Sequence, residues 1–144
     1  MTERAPYDPE NIFAKIIRGD MPATKIAEND DMLAFMDIFP QSRGHCLVIP
    51  KTAPATSIFD IDAEALSALI GHVQRIAKAV DAALNPDGVR IAQFNGAPAG
   101  QTVFHIHFHI IPTYADEPIG AHAGGEPADP QALEMIAAQI AEHL

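Results

Sequence analysis

Val103-Phe-His-Ile-His-Phe-His-Ile-Ile-Pro112 sets a histidine at every second position, His105, His107 and His109, among apolar residues. An extended strand sends successive side chains to opposite faces. The spacing therefore predicts a strand with three imidazoles on one face and Phe104, Ile106, Phe108 and Ile110 on the other. The rise per residue spreads the rings over about 13 Å, the length of a small phosphate-bearing ligand rather than of one atom. Imidazole acts as nucleophile, proton donor or metal ligand near neutral pH. The row is where the chemistry is expected.

The elements on either side fall into an α+β order. Residues 1–10 are polar, carry two prolines and read as a flexible N-terminal arm. Asn11 caps a short helix ending at Gly19, with Ile12, Phe13, Ile16 and Ile17 on its apolar face. Thr24–Ala27 and Met32–Ile38 read as strands around the turn Glu28-Asn-Asp-Asp31. His45–Pro50 is a continuous apolar run, hence a central strand. From Asp60 or Asp62 a long helix carries Leu66, Leu69, Ile70, Val73, Ile76, Val80 and Leu84 at helical spacing, and Asn85-Pro-Asp-Gly88 stops it. Val89–Phe94 is a strand, and Asn95–Gly100 a turn-rich loop. After the histidine strand, residues 113–130 are irregular and rich in Pro and Gly. A last helix runs from Pro130, with Leu133, Ile136, Ala137 and Ile140 on one side. Strands gathered around one long helix imply a single α+β domain with a mainly antiparallel five-stranded sheet.

Composition narrows the function classes. The chain has 144 residues, a length that suits one core. A net charge of −10 argues against a nucleic-acid or anionic-membrane surface. No Lys or Arg follows Arg90, so an anion on the histidine row must be held by imidazoles, hydroxyls, amides and backbone N–H groups. The single cysteine, Cys46, excludes an internal disulfide and a Cys-x-x-Cys metal site. It reads as a buried small residue. No signal-peptide pattern and no membrane-length apolar run is present, so a soluble cytoplasmic protein is expected.

The row admits three readings. Three half-buried histidines without a task would each need a partner, and their rings could not all be protonated without repulsion. His-x-His on a strand with a third ligand, His45 or His72, would make a zinc site. A neutral imidazole could instead attack phosphorus while its neighbour protonates the leaving group.

The motif His-Ile-His-Phe-His-Ile-Ile, with Gly-His-Cys-Leu-Val-Ile-Pro-Lys at 44–51 and Asn95–Pro112, resembles the histidine triad (HIT) family. Segments 12–23 and 33–45 match it too. The similarity is to the branch with purine nucleoside phosphoramidase activity, and it covers the domain from residue 11 to 112. The segment 113–144 lies outside it. The resemblance implies that His107 is the nucleophile, forming a nucleotidyl-histidine. His109 lies by the α-phosphate and donates a proton to the leaving group, His105 supports the strand, and His45 faces the site. It implies that Asp37 grips the ribose hydroxyls. Asn95, Gly100, Gln101 and Thr102 become phosphate contacts, and Ile16, Phe13 and Ile38 wall the base. On residue chemistry alone, Asp37 equally suits a turn cap before Pro40, and a Gly-rich turn is commonly just a connection. His72 and His143 are expected to face solvent, and His122 falls in the Pro/Gly-rich segment; none is given a role.

The resemblance further implies a homodimer acting on an AMP-like substrate, with no cofactor. A dinucleoside polyphosphate hydrolase and a nucleotide-binding regulatory protein remain the alternatives. Many bacterial relatives hold a structural zinc with Cys-x-x-Cys and two histidines. Here Asn11 and Ala14 stand at the cysteine positions, leaving only His45 and His105, so no metal is expected.

Overall fold

In the computed structural model, which describes residues 4–122 and 124–144, Asn11 starts helix α1, Ile12–Arg18. Its side chain accepts the Ala14 N–H, and Gly19 ends the helix in a left-handed conformation at φ +85°. Strands β1 (Lys25–Glu28) and β2 (Met32–Met36) pair antiparallel. Asn29 Oδ1 shapes the turn between them by accepting the N–H groups of Asp31 and Met32. Strand β3, Cys46–Pro50, is buried throughout, as its unbroken apolar run requires.

Helix α2 spans Ala63–Leu84. Asp62 caps it by accepting two N–H groups, and Asn85 closes it at φ +48°. Its inward face is Leu69, Val73, Ile76, Ala79, Val80 and Leu84. Each large apolar side chain buried there contributes about 2 kcal/mol. Strands β4 (Gly88–Ala92) and β5 (Phe108–Thr113) follow, then helix α3, Pro130–Ala141, capped by Asp129. The sheet order is β1-β2-β3-β5-β4, with every neighbour antiparallel. This is the expected α+β fold on a five-stranded sheet.

Alternation divides the sheet's two faces. Met32, Ala34, Met36, Cys46, Val48, Phe108 and Ile110 pack toward α2 and α3. Leu33, Phe35, Leu47 and Ile49 pack against Phe13 and Ile16 of α1. Leu47 pairs in register with His109, so His109 lies on the α1 face. Buried Leu133, Ala137 and Ile140 make α3 part of the main core.

The histidine strand is shorter than its alternation predicts. β5 begins at Phe108, and only His109 of the three lies in it. Pairing with β3 stops at Val48–Phe108. Two residues further along β3 stands Pro50, which has no N–H to give a ladder. Its carbonyl is already taken by the His105 ring, Nε2 to oxygen 2.9 Å. The backbone of His105 and His107 is released from the sheet. Ile106 N–H instead donates to Ala55 in the loop after β3.

Candidate active site

Leaving the ladder keeps the imidazoles together. The rings of His107 and His109 stand 5.0 Å apart, centroid to centroid, and Phe13 meets His107 edge-on at 5.0 Å and His105 at 6.3 Å. All three histidines are buried, as is His45. Desolvation pushes His107 and His45 down to about 4 and His109 down to about 3; His105 is lowered for the same reason. The rings are neutral at physiological pH.

A neutral imidazole has one N–H and one bare nitrogen, and its partners decide which is which. His107 Nδ1 lies 2.7 Å from the His105 carbonyl, an acceptor, so Nδ1 carries the proton. Its Nε2 is bare and nucleophilic. The Gln41 N–H donates to His45 Nδ1 at 2.9 Å, so His45 holds its proton on Nε2. That N–H donates to His109 Nδ1 at 2.9 Å, with Asp37 Oδ2 a longer neighbour at 3.4 Å. His109 must then carry its proton on Nε2. His105 donates from Nε2 to Pro50 and accepts the Tyr7 hydroxyl on Nδ1 at 2.8 Å. Two rings are thus prepared with opposite functions: a lone pair on His107 and a fixed donor on His109.

His107 and His109 open into a cavity of about 440 Å³ whose wall is mostly apolar. Phe13, Ile16, Ile38, Asp37 and Thr102 line it, and among the described residues no Lys or Arg does. Half-exposed Ile38 leaves an apolar ledge at the mouth. The aromatic and aliphatic wall suits a flat base. Asp37 accepts the Phe39 N–H on Oδ1, so it caps its turn and faces the cavity at once; burial raises its pKa.

The remaining positions are spent on architecture. Gln101 is buried, accepts the Gly96 N–H and donates to the Thr56 and Val103 carbonyls. Asn95 accepts from Ile58 N–H and exchanges bonds with Gln93. Neither lines the cavity; they brace the loop that holds Thr102. Gly100, at φ +110°, turns its carbonyl toward His122 Nε2, 2.8 Å away.

Two residues given no role from sequence reach the triad, Tyr7 on His105 and His122 on His109. The His122 ring packs edge-on against Phe94 and against His109, both at 5.2 Å, and lines the same cavity. It arrives there because the Gly120 N–H donates to the Gln41 carbonyl and the Gln41 amide donates back to Gly120. No periodicity marks the segment that carries it. Tyr114 turns away and donates to the Arg43 carbonyl. His72 is half-buried on α2, and His143 is exposed just beyond α3.

The zinc site of relatives does not fit. Asn11 is engaged as a helix cap, and both ring nitrogens of His45 and His105 already have partners. A different group of potential ligands exists: Asp37, His45 and His109 bring one ligand atom each within 4.8 Å of one another. An ion there would have to displace the proton between His45 and His109.

The family model described as HIT domain matches residues 18–116. An adenosine 5'-monophosphoramidase of Schizosaccharomyces pombe is 36% identical over 134 residues, covering 92% of this chain and 97% of the yeast protein. Protein hit of Bacillus subtilis is 39% identical over 92% of this chain and 93% of its own length. The crystal structure of a Hit-like protein from Bartonella henselae superposes with a TM-score of 0.90 at 44% identity, covering 97% of this chain and all of that one (100%). A zinc-bound histidine triad protein from Mycobacterium smegmatis gives 0.76 at 35% identity, over 92% of this chain and 94% of that one.

Proposed function

The chain belongs to the HIT family, and from that premise we propose that it hydrolyses purine nucleoside 5'-phosphoramidates, or related AMP conjugates, through a nucleotidyl-His107 intermediate. The observation that carries this reading is the opposed pair of tautomers: a bare Nε2 on His107 beside a proton-bearing Nε2 on His109. The base enters between Phe13, Ile16 and Ile38, and the carboxylate of Asp37 accepts the ribose hydroxyls. His107 Nε2 bonds to the α-phosphorus as the bond to the leaving group breaks. His109 Nε2–H and the Thr102 hydroxyl donate to the phosphoryl oxygens as charge develops there. Water then attacks phosphorus and frees His107. No metal takes part, and no cofactor is needed.

A short amidate is favoured over a dinucleoside polyphosphate because, among the described residues, no Lys or Arg lines the cavity to neutralise a longer anionic chain. We further read the enzyme as a cytoplasmic homodimer. The dimer follows from the family resemblance and from β4, an edge strand with Ile91 half-exposed.

The test is to trap the intermediate by rapid quench and mass spectrometry, using a slow AMP-amidate in the presence of EDTA. A nucleotidyl adduct on His107 is expected. His107→Ala should lose the adduct and at least 10³-fold in turnover while still binding AMP. A wild-type protein that binds AMP but never forms the adduct would be a binding protein rather than this enzyme.

A further inference from the structure

A leaving amine needs a proton, and the imidazole chain from His45 to His109 is poorly placed to supply one. The Gln41 amide holds His45 Nδ1 bare, and His45 Nε2–H holds His109 Nδ1 bare. A proton added to either ring would set two N–H groups against each other. A neutral imidazole that gave up its only N–H would become an anion in an apolar wall. His109 is therefore a fixed hydrogen-bond donor.

His122 is built differently. Its Nε2 faces the Gly100 carbonyl, which accepts from an N–H whether the ring is neutral or protonated. Its Nδ1 is buried without a hydrogen-bond partner among the described residues. The other buried side-chain nitrogen in that condition is His109 Nε2, on the ring 5.2 Å away. Native proteins leave few such atoms unpaired. Here the two lie beside the nucleophile's ring, a fixed donor on His109 and an unclaimed nitrogen on His122 that carries a proton when the ring is charged. An incoming group completes both.

We propose that His122 is the general acid of the reaction, delivering the proton from Nδ1 to the leaving nitrogen, and that it fits the enzyme to leaving groups too basic to depart unprotonated. This rests on the phosphoramidate reading above. The His107 Nε2 lone pair forms the bond to phosphorus. The phosphorus–nitrogen bond breaks, its electron pair stays on nitrogen, and nitrogen takes the His122 Nδ1 proton. His122 is left neutral, still donating to Gly100. In the second step water attacks phosphorus, the bond to His107 breaks, and the water proton returns to His122 Nδ1. Atoms and charge balance over the cycle, with amidate and water giving AMP and amine. The titratable groups that face His122 are Asp37 at the end of β2, His45 ahead of β3, and His107 and His109 beside and within β5. Asp37 is the one acid among them.

The experiment compares two substrates sharing AMP but differing in leaving group: an alkylamine phosphoramidate, which must be protonated to leave, and 4-nitrophenyl-AMP, which departs as a stable anion. General acids contribute about 10²–10⁴-fold. His122→Ala and His122→Gln should each lose at least 10²-fold in kcat/KM on the amidate and less than about threefold on the aryl ester. The ester rate reports that the fold and His107 are intact. Equal loss on both substrates in both variants, or no loss on the amidate, overturns the assignment. If the wild-type enzyme forms no His107 adduct from either substrate, the failure belongs to the functional reading. An adduct from the ester with undiminished amidate turnover in the variants would reject His122 alone.

Discussion

At the residue scale, burial sets the protonation of the site. His45 and His107 sit near 4 and His109 near 3, all below the ordinary 6.5, because desolvation penalises their charged forms. In the unfolded chain the same rings protonate as pH falls below about 6.5. Above that pH both states are neutral and the rings add no pH dependence to stability. Between about 6.5 and 4 the unfolded chain binds more protons, so folding stability falls as pH falls. Each ring withholding a proton adds about 1 kcal/mol per pH unit to that slope. Urea midpoints should be flat from pH 8 to 7 and decline steadily from 6.5 to 4.5; a flat line over the lower range would show that the rings are more hydrated than their burial indicates. His107→Asn should reduce the slope.

The histidine pattern was legible at this scale because a period of two fixes which residues share a side, even though only His109 proved to be in the strand. His105 and His107 keep the expected face, as their shared contact with Phe13 shows. The assignments of Asn95 and Gln101 illustrate the limit. An amide in a turn can face a ligand or brace its own loop, and only the identity of its neighbours, Gln93 and Ile58 or Gly96 and Thr56, decides. His122 had no signal at all: its place depends on a pair of bonds between Gly120 and Gln41, 79 residues apart.

At the scale of elements, the long helix and the central strand were readable from period and caps. Asp62 and Asn85 mark α2 by side-chain capping and a left-handed stop, both local effects. The start of β5 was not readable, because the Pro50 carbonyl that ends the ladder is claimed by a ring 55 residues away. The approach to β3 shows a second long-range constraint. Gly44 sits at φ +93°, and a Cβ there would collide with the Leu84 side chain at the end of α2. Gly44→Ala should destabilise by about 1–3 kcal/mol through backbone strain and that collision. Leu84→Ala alone should cost about 2–4 kcal/mol as a cavity. The double variant should cost less than their sum, because shortening Leu84 removes the collision. Urea unfolding of the four proteins measures the coupling, and strict additivity would mean that φ strain alone accounts for Gly44.

At the scale of the whole molecule, the α1 face of the sheet forms the site and the α2–α3 face holds it still. The segment beyond Pro112 belongs both to the site and to the core. In the structure it reaches its own chain's site, through His122, before α3 returns to the core. Cutting the chain at Pro112 would therefore sever β5 and strip Leu133, Ala137 and Ile140 from the interior. Such a truncation tests folding, not specificity. Among the described residues no helix is long and apolar enough to cross a membrane. Assembly is a separate question. Light scattering at micromolar concentration should give twice the 15.4 kDa chain mass. A charged residue at exposed Ile91 on the sheet edge should shift that value toward the monomer. A monomer mass for the unaltered protein would discard the dimer.

The bond from Tyr7 to His105 bears on how the protein is best handled. A purification tag fused upstream pulls on a segment whose seventh residue seats the first triad ring, and Arg4 stacks over Phe59 in the same stretch. Leu144 is exposed past the final helix and is not among the residues that line the cavity. Preparations tagged at the two termini should differ in turnover, the C-terminal fusion matching untagged enzyme.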